Sequence, residues 1–521
     1  MTYVLGISCH YHDAAAALVA DGVLVAAAEE ERFSRIKHDS GFPHRAIEFC
    51  LRRAGITAAE LDHVVFYEKP LVKFERILLT ALRTYPRSWR SFGEFALGWM
   101  EEKLWVRAEV QEALGIDADR ILFTEHHLAH AASAFFCSPF DRAAILTVDG
   151  VGEWTTSALG TGTADWDGTG RNGIVLDRET RFPHSLGLLY SAFTAFLGFE
   201  VNEGEYKVMG MAAYGEPRYE DRVRKVVRVE EDGSFALDMR YFSFPHSADR
   251  TFSREFERLF GPPRDPAAPF FTAATHPGQR LDAAAAGRNQ HYADIAASIQ
   301  RVTEDALLRA ARHLHQRTGL TKLCIAGGVA LNAVANGRIL RETPFEQVFV
   351  QPAAGDAGGA VGAALYAWHV LLGHPRRYVM EHAYLGEEYS DGQAVDAFRA
   401  AGLAPRVVDD ESAMLDEVAG SLVAGQVAGW AQGRFEWGPR ALGNRSILAD
   451  PRTAAMKDVV NERIKFREPF RPFAPAVPEE CAASLFDMPD PAGCWPARFM
   501  LAVMPWKPEA AERAPAVSHA G

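Results

Sequence analysis

No stretch of this chain approaches the ~20 consecutive apolar residues that a membrane-spanning helix needs. Its first residues, MTYVLGISCHYHDAAAALV, carry no basic segment, and His10, His12 and Asp13 interrupt the apolar run, so they do not read as a secretory leader. Six cysteines (Cys9, Cys50, Cys137, Cys324, Cys481 and Cys494) lie scattered without a CxxC pair, which argues against a disulfide framework or zinc ribbon and suits a reducing compartment. These absences lead us to expect a cytoplasmic protein with no membrane partner. Positive charge is also in deficit. The formal net charge of -13 disfavours general nucleic-acid binding by phosphate neutralisation, and no nucleic-acid partner is expected. GxxxxGK[ST] does not occur, and the GxGxxG letters at residues 168–173 follow Asp165-Trp166-Asp167 and run into the strand-like residues 174–176 rather than a helix, so neither a P-loop nor a Rossmann site is supported.

What is present is an ordinary globular composition, 48% hydrophobic and 24% charged, over 521 residues, long enough for two domains with a large core. Residues 3–7 read as a buried strand, and 14–19 with 23–28 as a hairpin around Asp21-Gly22. A similar pattern returns at 143–148, Asp149-Gly150 and 155–159, which predicts two related lobes in the first domain. Residues 44–55, 104–114 and 291–317 read as helical, 240–290 as an irregular insertion, and 499–505 as strand-like. Strands at 322–326 and 347–350 run into the glycine-rich turns Gly327-Gly328 and Gly355-Asp356-Ala357-Gly358-Gly359. The expected division is a first domain over 1–370, a linker over 371–390, and a second domain over 391–521.

Three groups of residues carry chemistry. His126 and His130 are four apart, so a helix would project both imidazoles from one face toward a shared metal. With Asp149 and Asp356 at strand ends, such a set suits iron(II), manganese or zinc as a Lewis acid. Chance recurrence of HxxxH, with His126 merely capping a helix, is the plain alternative. The second group is glycine-rich: Gly327, Gly328 and Asn332 lie where a strand opens into a helix, a place where backbone N–H groups can cradle phosphate. Residues 204–215, which contain Lys207, are a further glycine-punctuated segment, and tight strand–helix packing is the alternative for each. Third, residues 431–473 hold nine basic side chains against five acidic ones, inside an acidic chain. Arginines beside Gly438-Pro439 and Gly443-Asn444 are placed for bidentate recognition of phosphate or carboxylate. A solvated charged face is the alternative; interleaved Trp437, Phe466, Phe470 and Phe473 favour a partly buried anion-binding surface.

Taken in order, these segments resemble the carbamoyltransferases of antibiotic and nodulation-factor biosynthesis. The resemblance is carried by His12-Asp13-Ala14, residues 29–38, Tyr67-Glu68-Lys69-Pro70, residues 126–132, Asp149-Gly150 and residues 204–214. It continues through residues 327–332, Gly355-Asp356, residues 438–443, 461–465 and 467–475. The resemblance implies an α/β architecture, with a first domain of the actin-like/sugar-kinase ATPase fold in two related lobes. A smaller YrdC-like α/β domain with a positively charged cavity would follow.

The resemblance also implies a two-step reaction. In the second domain, carbamoyl phosphate and ATP, with Mg, would give carbamoyl-adenylate, the anionic groups being held by Arg440, Lys465 and Arg471. In the first domain, His126, His130, Asp149 and Asp356 would hold iron(II) or another divalent metal, and Gly327, Gly328, Asn332 and Lys207 would contact the nucleotide. His12 would act as general base on a hydroxyl of a small-molecule acceptor, with Lys37 stabilising negative charge nearby. Family chains continue past the position of His519 with further strands, an arginine and a serine, so the second domain is expected to be incomplete at its C-terminus. The rival readings are a tRNA-modifying carbamoylation enzyme, a sugar-kinase-like ATPase and a catalytically inactive partner.

Overall fold

The computed structural model describes residues 1–93, 99, 103–276, 278–488 and 490–519. Short apolar segments near the N-terminus form β1 (Tyr3–Ser8), β2 (Ala15–Ala20) and β3 (Val23–Glu29). The β2–β3 turn holds both Asp21 (φ 46°) and Gly22 (φ 86°) in the left-handed region, as a tight hairpin requires. Every residue of β2 is buried, which explains its continuous run of alanine, leucine and valine: the sheet is covered on both faces. With β4 (His63–Phe66) and β5 (Ile121–Phe123) these strands form a sheet ordered β3-β2-β1-β4-β5, antiparallel over the first three and parallel over the rest.

The same design recurs. β6 (Arg142–Val148), β7 (Thr155–Thr163) and β8 (Gly173–Arg181) make an antiparallel meander, and β11 (Lys322–Ala326) and β12 (Gln347–Val350) add to β6 in parallel. The sheet order β12-β11-β6-β7-β8 repeats the first sheet's connectivity, strand for strand. A duplicated five-stranded α/β unit of this order defines the actin-like/sugar-kinase ATPase fold, and the repeated pattern at residues 3 and 143 was its trace in the sequence.

Two helices tie the lobes together. The helix His126–Phe135 leaves β5 of the first sheet and packs on β6 and β11 of the second, while Asp356–Tyr366 leaves β12 and packs on β1 and β2 of the first. They also pack on each other, and Gly362 lies so close to the Ala129 carbonyl that a Cβ there would collide with it. Between β8 and β11 lie the short pair β9 (Val227–Val229) and β10 (Phe235–Leu237), the Arg254–Phe260 helix and the long helix Ala283–Thr318. That last helix starts earlier than its periodicity predicts. Asp282 caps it through the N–H groups of Ala284 and Ala285, and the alanine run sustains it by propensity without large apolar residues to mark a face.

Residues 373–384 carry no helix or strand, yet they are firmly packed as a strap. Arg376 N–H donates to Asp165 (2.6 Å), Met380 N–H to Cys137 (2.9 Å), and the Leu385 carbonyl just beyond accepts from Ala27 of β3 (3.2 Å). The backbone N–H of fully buried Trp437 donates to the Ala383 carbonyl (2.6 Å), so the C-terminal region is seated on the same strap. Beyond residue 390 the chain forms the helices Asp391–Ala400 and Glu411–Val423 and a two-stranded antiparallel ladder, β13 (Ala428–Ala431) with β14 (Arg445–Leu448). This ladder is the only sheet that the described residues beyond 390 form. Residues 499–505 are not a strand. They dock along the helix Ala333–Glu342 through Asn336 to the Leu501 carbonyl (2.9 Å) and Val503 N–H to the Ala333 carbonyl (3.0 Å). Among the described residues no helix is long and apolar enough to cross a membrane.

Candidate active site between the lobes

Both crossing helices begin on the cleft between the two sheets, and each begins with a side chain of the expected metal set: His126 on one, Asp356 on the other. Asp149 follows β6 directly, so three strand ends converge here, as ligand sites of open α/β sheets do. His130 arrives one turn along from His126. The four side chains are buried, and one donor atom from each lies within 4.8 Å of the others. His126 Nε2 is 3.0 Å from His130 Nε2 and 3.2 Å from Asp149 Oδ2, and both imidazole nitrogens are 3.7 Å from Asp356 Oδ1. Two imidazole nitrogens and two carboxylates, converging from buried side chains, fit a divalent cation as a donor set.

The surroundings are polar and organised. Burial alone would depress the His126 pKa, but the carboxylates of Asp356, Asp149 and Glu68 hold it well above the usual histidine value. Burial would raise Asp149, but His126, His130 and the Gly328 N–H hold it well below the carboxylate range. Tyr67 OH reaches Asp356 Oδ2 (3.4 Å), and Glu153 accepts from the His126 backbone N–H (3.0 Å). Buried Glu68 pairs with Lys73 (2.6 Å) and faces His126 Nδ1 at 3.6 Å. His127 stands apart from the set. Its Nε2 donates to the Thr155 carbonyl (2.9 Å), its Nδ1 accepts from Thr147 (2.7 Å), and burial beside His126 and His130 keeps it neutral.

The glycine loop after β11 lies against this cluster. Gly327 (φ 94°) sits where any Cβ would strike the Val148 carbonyl, and Gly328 N–H donates to Asp149 Oδ1 (2.8 Å). Asn332 is committed internally: its Oδ1 caps the next helix at Ala335 N–H (3.1 Å), and its amide exchanges hydrogen bonds with Gln300. In this conformation the loop supports a metal ligand, and the Asn332 side chain is already engaged.

His12 stands at the cleft mouth after β1. Asp13 (φ 44°) bridges two imidazoles, Oδ2 to His12 Nδ1 (2.8 Å) and Oδ1 to His38 Nδ1 (2.7 Å). Burial would lower the His12 pKa, but Asp13 and the more distant Asp356 raise it to about 9.

Residues expected in different domains meet in one cavity. Lys37 and Lys207 from the first domain line a space of about 590 Å³ with Lys465, Arg467 and Arg471 from the C-terminal region, together with Glu203, Glu462, Glu468, Tyr206 and Phe466. Lys37 pairs with Glu203, Lys207 with Glu468 (3.0 Å), and the Arg471 guanidinium lies over the Tyr206 ring (4.5 Å). Burial and mutual repulsion lower the pKa of Lys37, Lys465 and Arg467, the last to about 10, which marks a surplus of positive charge. Arg440 approaches from above the glycine loop and donates to the Leu331 carbonyl (3.2 Å).

Several residues here escaped sequence reading. Glu436 is buried, and its Oε1 accepts from the N–H groups of Leu442 (2.8 Å), Asn444 (2.8 Å) and Arg445 (3.0 Å), folding the loop that carries Arg440. Glu29 accepts from Gly438 N–H (3.0 Å), tying that loop to β3. Glu68 had a readable signal, because it follows an apolar strand as Asp149 does. Asp13 and His38 lay inside quoted motifs, but only folding shows one carboxylate serving both rings.

The duplicated sheets, with a buried metal-type cluster in their cleft, define the class as an actin-like ATPase-fold enzyme. The chain belongs to the carbamoyltransferase family: it matches the carbamoyltransferase N-terminus over residues 3–365 and the carbamoyltransferase C-terminus over residues 419–521. It is therefore an enzyme that transfers carbamoyl groups. An uncharacterized protein of Synechocystis is 47% identical over 507 residues, covering 94% of this chain and 78% of that protein. The nodulation protein NolNO of Sinorhizobium fredii is 35% identical over 517 residues, covering 98% and 68% respectively. The 3'-hydroxymethylcephem-O-carbamoyltransferase of Streptomyces clavuligerus is 38% identical over 175 residues, covering 33% and 31%.

Proposed function

We propose that this enzyme hydrolyses carbamoyl phosphate to carbamate and inorganic phosphate, that the carbamate oxygen displaces pyrophosphate from the α-phosphorus of ATP to give carbamoyl-adenylate, and that a hydroxyl of a small molecule then takes the carbamoyl group, with AMP leaving and the hydroxyl proton passing to a base. The observation that carries this reading is a buried two-histidine, two-aspartate cluster in a chain that also builds a cationic cavity from residues of its first domain and of its C-terminal region. The similarity to an O-carbamoyltransferase supports oxygen as the acceptor atom.

The residues divide the work by charge and position. Lys465, Arg467, Arg471, Lys37 and Lys207 neutralise the phosphates of ATP and carbamoyl phosphate, so that anions can approach one another. Arg440 extends that field toward residues 327–332. His126, His130, Asp149 and Asp356 would hold iron(II) or another divalent ion, which supplies Lewis-acid polarisation of a bound oxygen. His12, steered by Asp13, takes the proton of the acceptor hydroxyl. The division into a transfer domain over 1–370 and an activation domain over 391–521 belongs to this proposal, as does a cytoplasmic site of action.

The test is product analysis by mass spectrometry after incubation with ATP, Mg, carbamoyl phosphate and a panel of hydroxylated metabolites. Expected are AMP release that depends on carbamoyl phosphate and a product heavier by one carbamoyl group. Release of ADP with phosphorylated product, or carbamoylation of tRNA alone, would overturn the reading.

A further inference from the structure

The five aromatic residues interleaved with the basic cluster have different fates, and Phe435 is buried at 7% exposure. Trp437 and Phe470 are buried in the core, at 0% and 1% exposure, and Phe473 lies under the Arg467 guanidinium (4.7 Å). Phe466 alone stands out, 83% exposed, on the wall of the cationic cavity.

Its backbone is equally unusual. Phe466 adopts φ 48°, just after the wide helical turn Val459–Ile464, at a left-handed helix end that glycine normally fills. A bulky residue there is strained, and the surroundings enforce it. Lys465 N–H donates to the Val460 carbonyl (2.9 Å) and Arg467 N–H to the Asn461 carbonyl (3.0 Å). Buried Asn461 accepts from Arg467 Nε (2.7 Å) and donates to the Arg471 carbonyl (3.0 Å). The chain thus holds a large apolar ring in solvent, at a cost in backbone strain, with neighbours that are nearly all ionic. Neither packing nor solubility accounts for that.

We infer that Phe466 is the platform on which the purine base of the nucleotide stacks, while Lys465, Arg467 and Arg471 hold its phosphates. An aromatic face beside a cationic groove is the pairing that a nucleotide recognises: the base needs a flat apolar surface and the phosphates need positive charge. Tyr206, already under Arg471, shows that the cavity's other ring is taken. The inference rests on the proposed use of this cavity for ATP.

The experiment is calorimetric titration of the full chain with Mg-ATP and, separately, with inorganic tripolyphosphate, which offers the charge without the base. For Phe466→Ala we expect the ATP Kd to rise about 5- to 100-fold, the range of one lost base–aromatic stack, with tripolyphosphate binding unchanged. Phe466→Trp should restore ATP affinity. Phe466→Gly should lose ATP affinity without a fall in melting temperature, because glycine relieves the backbone. ATP binding unaltered by Phe466→Ala, or tripolyphosphate lost along with ATP, would overturn the inference. If Arg471→Ala leaves tripolyphosphate binding intact, or the native chain binds neither probe, the fault lies with the cavity's assignment to ATP.

Discussion

A carboxylate between two imidazoles sets how His12 behaves. Asp13 lifts the His12 pKa to about 9, above its ordinary 6.5, so the pair's contribution to stability is fully present below about pH 6.5 and fades as pH rises through about 9. Asp13 itself is held well below the carboxylate range, although burial would raise it, so its contribution fades only in acid, below the ordinary range near 4. A base must be unprotonated, and transfer should therefore quicken with pH until about 9. In Asp13→Asn we expect this limb of the pH–rate profile to move down toward 6.5, with a stability loss at neutral pH of about 1–3 kcal/mol. An unmoved profile would remove His12 from the proton transfer. For His130→Ala, metal analysis after dialysis should show bound metal falling toward zero, because one imidazole and two carboxylates remain. Retention of a full equivalent would dissociate the cluster from metal binding. The four cluster residues were legible because each polar side chain follows an apolar strand or lies one helical turn from one that does. Asp13, His38 and Glu436 were not, because their partners are fixed only by tertiary contact.

Among the elements, what was readable depended on whether the signal was local. The strands β1, β2, β3 and β6, with the hairpin turn at Asp21-Gly22, are encoded in a few adjacent residues. The extended segment at 499–505 was not separable from a strand, because alternation does not reveal whether an edge or a helix receives it. The loop over residues 438–445 is more instructive. It has no regular structure, and its shape depends on one buried oxygen of Glu436 accepting three backbone N–H groups. Removing that acceptor strands donors inside the protein, at roughly 1–3 kcal/mol for each one left unsatisfied. Glu436→Ala should lower stability by about 3 kcal/mol in denaturant titration and raise the KM for carbamoyl phosphate through misplacement of Arg440, while metal content stays unchanged. An unaltered KM in the folded variant would show that Arg440 does not depend on this frame.

At the scale of the whole molecule, the two crossing helices and the seated C-terminal region join residues that lie far apart in the chain. Lys37 lies 428 positions before Lys465, yet both line one cavity. The sequence showed each cation's type and the local charge surplus; it could not show that the two groups line one cavity, because that follows from how the strap and Trp437 fix the C-terminal region on the first domain. A shared cavity has an energetic signature. If Lys37 and Lys465 both face one polyphosphate, Lys37→Ala and Lys465→Ala should be non-additive in its binding, with a coupling of about 0.5–3 kcal/mol, because the charge that remains rearranges around the ligand. Were the two lysines serving separate sites, their effects would add to within about 0.3–0.5 kcal/mol. Raising salt should shrink the coupling only modestly, since partly buried charges are screened less than exposed ones. Additive losses in tripolyphosphate titrations of the native chain, the two single variants and the double variant would mean that activation and transfer occupy separate chambers.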